Sequence, residues 1–109
     1  MIYIDYTEKT QEVYVPRNGW TPAKDDKVSL RAFSTSERVG VTFVVHDWTV
    51  KGTYLCLVAG LPEDIFPGEW EYYLDIEDQL RDVGLLQVTE DHEAAAQYNK
   101  EITYKQYGE

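Results

Sequence analysis

At 109 residues, with 43% hydrophobic and 14% aromatic side chains, the chain is long and apolar enough for one packed domain and too rich in rings for a disordered segment. A net charge of −10 argues against a reader of nucleic-acid backbones, which needs a basic stripe. The one cysteine, Cys56, rules out an internal disulfide or a cysteine metal cluster.

The charge is unevenly placed. Residues 1–62 hold seven acidic and seven basic side chains, and residues 63–109 hold thirteen acidic against three basic. The opening MIYIDYTEKT lacks both a basic and an apolar leader region, so no signal peptide is expected. No apolar run approaches the roughly 20 residues of a spanning helix, so no membrane is expected either.

Short alternating segments run along the chain. Met1–Tyr6 places Ile2, Ile4 and Tyr6 on one face of a strand, Thr7–Thr10 turns, and Gln11–Val15 returns. Pro16-Arg17-Asn18-Gly19 is a strong turn signal, followed by a polar loop over Trp20–Asp26. Lys27–Ser34 puts Val28, Leu30 and Ala32 inward and Ser29 and Arg31 outward. Thr35–Arg38 turns, and Val39–Asp47 aligns Val39, Val41, Phe43 and Val45. Thr53–Ala59 is almost wholly apolar, as in a central strand covered on both faces.

The stretch 61–88 organises the rest. After the turn dipeptide Pro67-Gly68, Trp70, Tyr72, Leu74 and Ile76 share one face. Glu69, Glu71, Asp75 and Glu77 fall on the other, interrupted by Tyr73. Glu77–Arg81 reads as a hairpin loop and Val83–Val88 as the partner strand. The alternating segment and its partner have the pattern of the last hairpin of an immunoglobulin-like sandwich. Thr89–Asn99 is the one helix candidate, with Thr89 as cap, and Ile102–Tyr107 reads as a terminal edge strand. The prediction is an all-β chain: one antiparallel, immunoglobulin-like β-sandwich domain over 1–109 with seven to nine short strands. Residues 1–88 form its core, and 89–109 supply a short helix or loop plus the edge strand.

Catalytic groups are scarce. Cys56 lies in a continuous apolar run, as a buried small hydrophobe does. His46 lies at a strand end, and a Cys56–His46 pair has no orienting third group. The carboxylates of 69–77 occupy equivalent positions, whereas a glycosidase pair needs contrasting environments. Asp75-x-Glu77-Asp78 lacks the turn glycine and closing glutamate of a calcium loop. No catalytic residue, cofactor or metal is therefore expected, and the chain reads as a non-enzyme.

What remains is a surplus of rings. Tyr3, Tyr14, Trp20, Trp48, Tyr73, Tyr98, Tyr104 and Tyr107 exceed what one small core absorbs, and such rings are enriched at protein interfaces. They are the predicted interface residues. Edge strands Ile2–Tyr6 or Ile102–Tyr107 are expected to pair with a partner. Two other readings stand beside this one. The acidic second part suggests an inhibitor that imitates nucleic acid, and Trp20, Trp48 and Tyr73 suggest a carbohydrate-binding module.

The motif order Val13-Tyr14-Val15-Pro16-Arg17-Asn18-Gly19, Val28-Ser29-Leu30-Arg31-Ala32, Pro67-Gly68-Glu69-Trp70-Glu71-Tyr72, Gly84-Leu85-Leu86-Gln87-Val88 and 97–107 spans most of the chain. It resembles small proteins from the structural regions of bacteriophages of gut bacteria. It also resembles the immunoglobulin-like N-terminal domains of phage baseplate and fibre proteins. The resemblance implies a virion component assembled in the host cytoplasm: a capsid decoration, a head fibre, or a neck or tail adaptor. Its partners would be other virion proteins, in homo- or hetero-oligomers, and it carries over no catalytic residue. A single expected domain departs from the pattern of fibre proteins and leaves a receptor-binding tip unaccounted for.

Overall fold

The faces that the alternation marks as apolar are the faces that pack. In the computed structural model, which describes residues 1–17 and 19–97, the chain is all-β. Its strands are β1 (Ile2–Asp5), β2 (Thr10–Pro16), β3 (Val28–Ser34), β4 (Val39–Lys51), β5 (Tyr54–Gly60), β6 (Gly68–Ile76) and β7 (Gln79–Thr89). They are hydrogen-bonded in the order β1-β7-β6-β3-β4-β5-β2. The predicted strand Ile102–Tyr107 lies outside the described residues.

The main core lies beneath the seven described strands. Trp70, Tyr72, Leu74 and Ile76 of β6 meet Leu30 and Ala32 of β3 and Leu86 and Val88 of β7, while Val13, Val15, Leu55 and Leu57 arrive from β2 and β5. Each fully buried aliphatic chain contributes roughly 1.5–3 kcal/mol relative to exposure. Trp70 also fastens the β5–β6 connection. Its Nε1 donates to the Phe66 carbonyl at 3.0 Å, and the two rings tilt together with centroids 4.7 Å apart.

β4 runs further than its sequence pattern suggests, to Lys51 rather than Asp47. Its first part pairs with β3 and its later part with β5, with a register shift between Val45 and Asp47. The extra residue, His46, inverts which parity faces inward. Val41 and Phe43 are buried before it, and Trp48 turns to the core after it.

The β6–β7 connection is tighter than the predicted five-residue loop. Ile76 pairs with Gln79, leaving a two-residue turn in which Glu77 (φ 51°) and Asp78 (φ 63°) both adopt the left-handed conformation, as hairpin turns of this length require. A second shift, between Leu74 and Asp75, moves the register by one residue and leaves Arg81 unopposed.

β1 is the exception to antiparallel pairing: it runs parallel to β7, with Ile2 opposite Leu86 and Ile4 opposite Val88. It ends at Asp5, so Tyr6 is exposed rather than on the inner face. β1 stands at the end of the strand order, with a backbone ladder to β7 alone among the described strands. The Gln11 side-chain amide accepts from Asp5 N and donates to Asp5 O, both at 2.8 Å, and so bridges β1 to β2 where no backbone ladder forms. The helix begins later than predicted, at residue 92. Asp91 is its cap, with Oδ1 accepting from Ala94 N at 3.1 Å, while Thr89 Oγ1 accepts from Asp91 N at 3.0 Å. Among the described residues no helix is long and apolar enough to cross a membrane.

Candidate docking surface

The outward positions of β7, β6, β3 and β4 form a continuous face. Cross-strand pairing sets Val83, Tyr73, Arg31 and Thr42 in one row, and Leu85, Glu71, Phe33 and Gly40 in the next. On an outer sheet face polar side chains are the rule, yet this one exposes Val83 at 53%, Leu85 at 44%, Phe33 at 36% and Val44 at 63%.

Tyr73 is the ridge of that face. Its hydroxyl donates to Glu71 Oε2 at 2.8 Å, and the Arg31 guanidinium carbon stands 5.2 Å from its ring centroid. The bond to Glu71 raises the Tyr73 pKa and keeps the hydroxyl protonated. Arg31 is held in turn by Asp75, at 2.7 and 3.3 Å to its two oxygens, a pairing that raises the Arg31 pKa. A depression of about 340 Å³ lies on one side of the ring, over Gly40 and Val41. Another of about 270 Å³ lies on the other, over Gly84.

The predicted interface rings separate into groups. Tyr73 is on this face. Tyr3 is half-buried in β1. Trp20 and Trp48 are half-buried against the core, Trp48 because of the bulge at His46. Tyr14 is buried beside Cys56; its hydroxyl donates to Glu12 Oε2 at 2.7 Å and Lys51 Nζ stands 5.6 Å from its ring centroid. Tyr98, Tyr104 and Tyr107 lie outside the described residues. Tyr14, Trp20 and Trp48 are thus not free rings, because the core and the β2–β5 ladder take them up. The exposed apolar members of this face, Phe33, Val44, Val83 and Leu85, are not among the predicted interface residues. Their signal was present as apolar side chains at the outward parity of their strands.

Trp20 and Trp48 pack inward while Tyr73 faces outward, so the three do not form the flat sugar platform that a carbohydrate-binding module needs. Nor do His46 and Cys56 converge. Cys56 stands opposite Thr49 in the β4–β5 ladder, whereas His46 lies over Gly60, its Nε2 3.5 Å from where a Cβ on that glycine would be. Burial pushes the Cys56 thiol up to about 11, with the Glu12 carboxylate adding to the effect. Such a thiol is a poor nucleophile at neutral pH.

A second cluster joins the ends of the described chain. His92 Nδ1 bonds Asp5 Oδ2, and Glu8 stands 3.9 Å from the same nitrogen. The other Asp5 oxygen accepts from Thr7 N at 2.9 Å and Thr7 Oγ1 at 2.5 Å. Burial pushes Asp5 up, but the two Thr7 bonds and His92 together hold it below its ordinary value. The Asp5 bond raises the His92 pKa. Both Asp5 oxygens being engaged, the group acts as a clasp between β1 and the helix. Compared with known proteins, the chain matches no family model, no curated protein and no solved structure.

Proposed function

We propose that the chain is a non-enzymatic, immunoglobulin-like β-sandwich that docks onto another virion protein through the outer face of β7, β6, β3 and β4. The grouping of β3-β6-β7 beside β2-β5 supports the immunoglobulin-like reading. The observation that carries the docking reading is the exposure of Phe33, Val83 and Leu85 around the braced Tyr73 ring, with Val44 exposed further along β4. Exposed apolar side chains grouped this way mark interaction sites, and a ring immobilised before contact loses little entropy on binding. The virion setting comes from the resemblance of the motif order to phage structural proteins.

The test is light scattering coupled to size exclusion, on the chain alone and mixed with candidate capsid, portal, fibre and tail proteins. Co-elution with one of them is expected, and the double variant Val83→Lys/Leu85→Lys should abolish it while staying folded. Failure of every mixture to co-elute would sink the reading.

A further inference from the structure

Gly40 stands opposite Phe33 in the β3–β4 ladder. The space its missing side chain leaves is the floor of the depression of about 340 Å³ walled by Arg31, Phe33, Thr42 and Tyr73. A Cβ at Gly40 would meet Phe33 Cδ2 at 3.7 Å and the Ala32 carbonyl oxygen at 4.0 Å. Those are ordinary contacts, and Gly40 is not among the glycines with positive φ. Neither crowding nor backbone conformation therefore demands a glycine here, and the open depression is what its absence of a side chain produces.

Charge indicates what enters. Glu69, Glu71 and Asp75 line the outward side of β6, and Arg31, the base beside them on β3, is already paired with Asp75. With Arg31 paired, Glu69 and Glu71 leave surplus negative charge on the β6 side of the face, beside the depression rather than in its wall. A second copy of a chain with net charge −10 would bring like charge against it, which opposes association.

Resting on the docking reading above, we infer that the depression over Gly40 is an anchor socket. It receives one aliphatic or aromatic side chain from a partner segment whose neighbouring residues are Lys or Arg. The apolar side chain fills the space between Phe33 and Tyr73, and the flanking cations meet Glu69 and Glu71. Gly40 sets specificity, since any side chain there fills the socket from within.

The test uses the full chain and a random displayed peptide library as probe. Enriched peptides should carry an apolar residue flanked by Lys or Arg and should bind less tightly as salt rises. Gly40→Val should weaken them about tenfold or more, the effect expected for a lost anchor, with Gly40→Ala intermediate and the melting temperatures of both near wild type. Enrichment of acidic or purely apolar peptides, or binding indifferent to Gly40→Val, would overturn the socket. So would a concentration-dependent dimer lost in Gly40→Val, because the occupant would then be a second copy. If virion proteins still co-elute, and Val83→Lys/Leu85→Lys disrupts them while Gly40→Val does not, the socket fails and the docking face stands.

Discussion

The Tyr72 ring occupies the space in which a side chain at position 84 would stand. A Cβ on Gly84 would lie 2.6 Å from Tyr72 Cε2 and 2.9 Å from its hydroxyl oxygen, and that hydroxyl donates to Asp82 Oδ2 at 2.7 Å. Tyr72 is paired with Gly84 across the β6–β7 ladder and is almost wholly buried, so it has little room to yield. Gly84→Ala should therefore cost about 1–3 kcal/mol, the usual range for overpacking. Gly40→Ala, on the same kind of strand but with open space above it, should stay within about 0.5 kcal/mol. Urea denaturation of the two variants checks the contrast, and equal midpoints would refute it.

The Asp5–His92 clasp makes stability depend on pH in two directions. The folded pKa of His92 is raised, so its contribution is fully present below the ordinary value of 6.5 and is lost as pH rises through the higher folded value. The folded pKa of Asp5 is lowered, so its contribution is present above the ordinary 3.8 and is lost as pH falls through the lower folded value. Wild type should exceed His92→Gln in melting temperature between those two limits, with the difference shrinking at either end. An NMR titration of His92 should give a midpoint above 6.5; a midpoint at or below it would remove the clasp.

Cys56 should be inert in the folded protein. With its pKa pushed to about 11, only about one thiol in a thousand is ionised at pH 8, and the thiolate is the reactive form. Iodoacetamide should therefore label the native chain far more slowly than the urea-unfolded chain, by about a hundredfold or more. Comparable labelling of both would mean that the thiol is accessible and activated.

Asp78 holds a left-handed conformation (φ 63°) at the tip of the β6–β7 hairpin, which glycine adopts without steric cost. Asp78→Gly should raise stability by up to about 1 kcal/mol, the relief of side-chain strain exceeding the entropy lost by a more flexible residue. Its neighbour differs. Glu77 accepts from Lys27 N at 3.0 Å through Oε1, so Glu77→Gly should gain less or lose. Thermal unfolding of both variants distinguishes the two positions.

Much of this was legible in the chain itself. Alternation at Val28-Leu30-Ala32 and Trp70-Tyr72-Leu74-Ile76 marks inner faces because successive side chains in a strand point to opposite sides, a rule needing no knowledge of the neighbour. The turn at 35–38 followed from the same local chemistry. The burial of Tyr14 and the inward turn of Trp48 are not readable from the chain, because their orientation depends on partners far along it. Tyr14 faces Cys56 across a ladder, and Trp48 owes its inward turn to one inserted residue.

All-β character, the strands and most of the core thus belong to the sequence alone, because period-two patterning is a property of consecutive residues. Tertiary structure decided where registers slip, which outward side chains become neighbours, and that Asp5 meets His92 and Arg31 meets Asp75. Those outcomes depend on pairing between segments tens of residues apart, and a one-residue change in that pairing reverses which face every later side chain occupies.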